Sequence, residues 1–451
     1  MPLAVAALVA MLLVPQIATL AFLFLLYINA PVVLVNLHGL PFIVGAAFIG
    51  LLGIPLASLI IRRESLIIPP TVTLIILYIL VMAMSSLVAR HFVPAWATLL
   101  IHIQEGLVPA LLLVNFIRTP AMLRAAIWAL LLAGLLMGAL SIHQELTGSY
   151  DSSYGGFARI EGRGISTGVD EFGAIERRPR LAGPIGEKNR YAQVMLVLIP
   201  LAVGMLLNER GRVLKLLAAA AGFFTFSAVL LTFSRGAAVA LLALVVAALA
   251  LRVIRLRSAV PLVALALVAV LVVAPDFFAR TATLTETTAA LTEGRDTTDL
   301  SVLGRLTLDL AAVRMFVEHP ILGVGIANFL ELSVDYANPL GMRHFSSPVP
   351  AHNHYLQIAA ETGLLGIATF LGLLGYLLSQ LWRCRLDALA FRRFEHARTA
   401  AALLFALLAY LVSAVFLHSS YERYFWVLIA LCAATIFVVR NDLPERNAAP
   451  P

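Results

Sequence analysis

The chain has 451 residues, of which 61% are hydrophobic and 13% charged, with a net charge of +7. A soluble protein of that length would form two or three domains, but apolar runs of about 18 residues or more recur along it, each long enough to cross a bilayer. No basic, aromatic-studded soluble region is present, which argues against nucleic acid as a partner and assigns the positive charge to membrane topology and to anionic lipid or phosphate.

The first apolar run lacks a basic n-region and a cleavage site, so it reads as the first span rather than a removed signal peptide. Twelve spans are expected, near 8–30, 40–61, 67–88, 94–117, 121–145, 190–207, 213–233, 235–251, 258–275, 354–381, 399–417 and 424–440. Short connections on one side carry Arg62 and Arg63, Arg118 and Arg124, Arg210 with Arg212 and Lys215, Arg252 with Arg255 and Arg257, and a run from Arg383 to Arg398. The other side's short loops carry little beyond Arg90, Arg235 and Arg423. The positive-inside rule then places both termini in the cytoplasm, as an even span count requires. The expected fold is an all-α polytopic membrane protein of about 12 transmembrane helices, with residues 1–451 in a single membrane-embedded helical domain. Cys384 and Cys432 fall outside the outer loops, so neither a disulfide nor a thiolate metal site is expected.

Two long connections fall outside, 146–189 and 276–353. The first opens on Gly and Ser and ends basic. The second contains GRLTLDLAAVRMFVEHP, where Leu306, Leu310, Val313 and Phe316 recur near helical spacing and predict a helix lying on or beside the membrane. Gly323 and Gly325 then punctuate a turn; a lone Gly-x-Gly without strand–helix context is no nucleotide site.

The chemistry concentrates where the second loop meets the tenth span, in AHNHYLQIAAETGLLG. Asn353 suits the N-cap of that span. His354, Gln357 and Glu361 follow on one helix face, and three polar side chains on a spanning helix need a cavity or partners. The bland alternative is that His352 and His354 are interfacial residues satisfied by water. Two other spans start on the same side, one beside Lys188, Asn189 and Arg190 with Arg180 upstream, the other at Ser234, Arg235 and Gly236. Helix N-termini and guanidinium groups both favour phosphate. Snorkelling to headgroups is the simpler account of each arginine alone. Arg305, in the amphipathic segment, joins the cations of this side. His102 and Glu105 lie about one turn apart within the fourth span, where a mutual structural pairing is expected. No Asp-x-Asp pair or zinc spacing occurs, so no metal and no cofactor is expected. Arginines can stabilise a departing diphosphate, and an imidazole is the natural base near neutral pH.

These motifs resemble the O-antigen ligase and polymerase superfamily of bacterial membrane glycosyltransferases. His352, Asn353, Gly363 and Gly366 match its His-Asn signature with the trailing Gly-x-x-Gly. Arg180, Gly183 and Asn189 match an upstream Arg-Gly-Asn pattern, Ser234, Arg235 and Gly236 a Ser-Arg-Gly helix start, and Pro320, Gly323 and Gly325 a Pro-x-x-Gly-x-Gly segment. Ile367 and Ala368 replace the paired threonines that often follow in ligases, which keeps ligase and polymerase both open. The resemblance implies a GT-C-like fold in the inner membrane of a Gram-negative cell, with 146–189 and 276–353 as periplasmic loops. It also implies inverting, metal-independent transfer of O-antigen from undecaprenyl diphosphate to a hydroxyl of the lipid A–core oligosaccharide. His352 would be the base or would orient the diphosphate. Arg180, Lys188, Asn189, Arg190, Arg235 and Arg305 would bind the donor, with Asn353, His354, Gln357 and Glu361 in support. A protein O-oligosaccharyltransferase shares this chemistry. A lipid-linked glycan transporter is the rival of another class, although the internal repeats common in transporters are not evident.

Overall fold

The computed structural model describes residues 9–41, 43–161, 165–169, 175–254, 300–418 and 422–444. Eleven of the twelve expected spans fall on helices, and the remaining one, 258–275, lies outside the described residues. Among the described residues nine helices are long and apolar enough to cross a bilayer, or up to ten if the bent pair Pro15–Tyr27 and Ala30–His38 is one span. Arg235–Ala250 has 16 residues, about 24 Å at 1.5 Å per residue, and is short for a hydrocarbon core of about 30 Å. The protein is an all-α, multi-pass membrane protein.

Burial separates the centre of the bundle from its rim. Of the spanning stretch, 89% is buried in Glu422–Asp442 and 78% in Phe394–Ala414, against 18% in Ile43–Ile61. Composition explains the centre: Ala400, Ala402, Ala406 and Ala409 are small and buried, and lipid gives helices little hydrophobic reason to associate, so close backbone approach must supply the contact.

One end of the bundle carries a group of ion pairs. Glu209 receives Arg124 Nε at 2.7 Å and Trp128 Nε1 at 2.9 Å, Arg118 meets Glu64, and Arg210 meets Glu395. The long connections occupy the other end. The first forms two small antiparallel ladders, Arg159–Ile160 with Leu181–Gly183 and Ile165–Val169 with Ile175–Arg178, which the sequence reading did not anticipate. The amphipathic segment of the second is helical, Leu300–Glu318, and the helix Asn328–Ala337 follows. Leu308, Met315, Phe329 and Ala360 close a small core between this connection and the helix His354–Ala390.

Two glycine motifs form one lock. Gly363 sits inside His354–Ala390 with φ 64° and ψ −162°, a conformation essentially restricted to glycine. The break frees helix groups for partners elsewhere. Ala360 and Glu361 carbonyls accept from Val324 and Gly325 N–H at 2.9 and 3.0 Å, and Leu364 N–H donates to the Pro320 carbonyl at 2.7 Å. Ser85 Oγ adds a bond to the Glu361 carbonyl at 2.7 Å. A Cβ on Gly323 would collide with the Glu361 backbone, and one on Gly363 with the Ile321 carbonyl. The Pro-x-x-Gly-x-Gly and Gly-x-x-Gly segments therefore need each other.

Candidate active site

Three helices begin at the loop-bearing end, and each is capped by its own sequence. Glu187 accepts from the Asn189 and Arg190 N–H groups at 2.9 and 2.8 Å. Ser234 Oγ accepts from Ala237 N–H at 3.4 Å. Asn353 Oδ1 accepts from Tyr355 and Leu356 N–H at 3.1 and 3.2 Å, the cap its position suggested. First-turn N–H groups that were expected to face phosphate are thus partly taken by side-chain oxygens, most completely at Lys188–Asn208, where a carboxylate already serves the helix dipole. Any anion here is held mainly by side chains.

Those side chains converge. Arg180, Lys188, Asn189, Arg235 and Arg305 line one pocket of about 110 Å³, together with Ser234, Ser413, Phe416 and Leu417, and no carboxylate is among the described residues that line it. The first four come from the first long connection and two helix starts; Arg305 comes from the second connection, across the site. Arg180 fixes the turn before Arg235, because its Nε and Nη2 donate to the Thr232 and Phe233 carbonyls at 3.0 and 3.1 Å. Phe233 holds φ 50°, so this turn is strained and needs such support. Lys188 Nζ pairs with Glu161 at 2.5 Å, which restrains the ammonium at the pocket edge.

Arg190 stands apart from that wall. It is buried, donates to Gln193 Oε1 at 2.7 Å, and bonds the His418 carbonyl. Its place behind the pocket makes it a brace between two helices. Gln193 itself reaches the pocket.

His352 is half-buried next to this group. Burial first, and then the Arg305 and Lys188 charges, lower its pKa to about 4. The imidazole of His418 packs edge-on to it, with ring centroids 6.4 Å apart. His418 is also held well down, to about 3, by burial first and then by Arg190 and His352. The sequence reading missed His418, a single histidine past a helix end with no motif around it. Only its neighbours in space mark it.

The polar face of His354–Ala390 does line a cavity. Gln357 and Glu361 border a second pocket of about 590 Å³, beside His102, Glu105 and Glu422. Glu361 Oε1 accepts from Gln357 Nε2 at 3.2 Å and from Phe329 N–H at 3.3 Å, rather than from an arginine. His354 is buried against Phe370 and Phe425. His102 and Glu105 do not pair with each other: His102 faces Glu422 at 3.9 Å and Glu105 faces Arg423 at 3.6 Å. The reason is a π-helical stretch, His102–Leu107, whose wider turn moves the two side chains off a common face. Among the described residues, no group of three or more His, Cys, Asp or Glu side chains is placed to hold a metal ion.

A family model described as O-antigen ligase matches residues 220–371. That segment contains the Ser-Arg-Gly helix start, both halves of the glycine lock, and His352 with its capping asparagine. No curated protein sequence matches the chain closely enough to be reported as a relative. Over residues 220–371 the chain is similar to O-antigen ligases, and the helical membrane fold and the order of the motifs agree with that similarity.

Proposed function

We propose that the protein transfers O-antigen polysaccharide from undecaprenyl diphosphate to a hydroxyl of the lipid A–core oligosaccharide, at the periplasmic face of the bacterial inner membrane. The observation that carries this reading is the pocket in which Arg180, Lys188, Arg235 and Arg305 come together, with His352 beside Arg305 and Lys188. Similarity to O-antigen ligases over residues 220–371 supports the class of reaction, and the pocket supports its leaving group.

In the reaction, the acceptor oxygen attacks the anomeric carbon of the donor sugar. The bond from that carbon to the diphosphate oxygen breaks, and the diphosphate departs with its electron pair, inverting the centre. The acceptor's proton passes to His352, which is neutral at pH 7 and so has a free lone pair. Charge that develops on the diphosphate meets guanidinium and ammonium groups already in place, where preorganised electrostatics is worth most. Arg180 has a double part, binding the anion and holding the Thr232–Phe233 turn that presents Arg235.

Purified protein supplied with lipid-linked O-antigen and lipid A–core in detergent tests this. Covalent transfer is expected, with a loss of about 10²–10⁴-fold in His352→Ala and unchanged undecaprenyl diphosphate binding. Transfer at the wild-type rate in that variant would refute the base. A protein that binds and moves the lipid-linked glycan without forming a new bond would be a transporter.

A further inference from the structure

The 590 Å³ cavity lies back to back with the cationic pocket. One short turn is the wall between them: Ser413, Phe416 and Leu417 face the cations, and the next residue, His418, faces the larger cavity. His352 has neighbours on both sides of that turn: the charges of Arg305 and Lys188 act on it, and the His418 ring packs edge-on to it.

The two cavities have opposite chemistry. Glu105, Glu361 and Glu422 line the larger one, with Arg423 as its only lysine or arginine among the described lining residues. A diphosphate placed there would meet three carboxylates, whereas sugar hydroxyls donate well to carboxylates, amides and imidazoles. Gln357, Thr98 and Tyr78 add neutral polar groups, and Met82, Ile326 and Leu330 supply an apolar ledge for the C–H face of a ring. The π-helical stretch presents His102 and Glu105 from the far wall.

We infer that this cavity is the acceptor subsite: it takes a neutral, polyhydroxylated sugar ring and delivers one hydroxyl past His418 to His352, while the diphosphate occupies the cationic pocket. This rests on the transfer reading above and adds where the second substrate sits. Both substrates are then bound together on two sides of one thin wall.

Cysteine protection tests the assignment, because both native cysteines are buried. Leu330→Cys and Thr98→Cys report on the larger cavity from two different helices, and Phe416→Cys on the cationic one. Lipid A–core is expected to slow maleimide labelling of Leu330→Cys and Thr98→Cys at least fivefold and to leave Phe416→Cys alone. Undecaprenyl diphosphate is expected to do the reverse. Protection of Leu330→Cys and Thr98→Cys by undecaprenyl diphosphate alone, or by neither lipid, overturns the assignment. Wild-type transfer measured in parallel keeps the two readings apart. Transfer without this protection removes the subsite and leaves the reaction. Protection without transfer removes the reaction and leaves the subsite.

Discussion

His352 is held near pKa 4 by burial first and then by the Arg305 and Lys188 cations, and a bound diphosphate would act directly on the second of these. Its negative charge offsets Arg305 and Lys188, so the imidazole's pKa rises in the donor complex. Neutral imidazole is the form that accepts a proton, so transfer is lost as pH falls through that pKa. The acid limb of kcat, which reports the complex, should therefore lie at higher pH than the acid limb of kcat/KM for the donor, which reports the free enzyme. Coincident limbs would show that the cations and the imidazole do not share a ligand. Arg235 is the cleanest test of the anion site. Arg235→Ala should cost roughly 10²–10³ in kcat, the scale of removing one transition-state donor, and Arg235→Lys should restore only part, since an ammonium lacks the planar fork. Phosphate-dependent binding by Arg235→Ala equal to wild type would count against its role. Arg235, Asn353 and the stripe of Gln357 and Glu361 were legible because a cation, a cap and a helical period are local signals. His418 was not, because it acquires meaning only from its neighbours in space, and the Glu187 cap was missed because glutamate is not among the usual N-cap residues.

Element by element, the spans were readable from hydropathy, and their breaks were not. The sequence around Gly363 looks like continuous apolar helix, yet the chain leaves helical geometry there to bond the Pro320–Gly325 turn. Such a lock depends on partners some forty residues apart, which no local propensity encodes. Gly363→Ala should destabilise the protein by about 1–3 kcal/mol from backbone strain alone, with a further cost from the collision with Ile321. A lowered unfolding temperature in detergent, with transfer reduced even below that temperature, is the expected result. An unchanged melting curve would mean that the break is not needed. The π-helical stretch was equally hidden, since composition fixes that Phe92–Phe116 is apolar but not how wide each turn is. The two ladders of the first connection were missed because strands of two to five residues, rich in Gly and charge, carry no alternation to read.

At the scale of the whole molecule, both ends of the bundle hold ion pairs, Arg124–Glu209 and Arg210–Glu395 at one and Arg178–Glu145 and Lys188–Glu161 at the other. The second end also gathers Arg180, Arg235 and Arg305 into one pocket. Fixed cations replace a divalent ion in the proposed reaction, so transfer should persist in excess EDTA and gain nothing from added Mg²⁺. A loss reversed by Mg²⁺ would assign the leaving group to a metal. The same lock that shapes the site also makes part of its covalent chain dispensable. Between it and the imidazole runs an exposed stretch, Ser346 to Pro348, that carries none of those backbone bonds. A protease site inserted at Ser346–Ser347 and then cut should yield two fragments that stay associated through purification. Those fragments should still join glycan to acceptor, since what seats the histidine is folded contact rather than an unbroken thread.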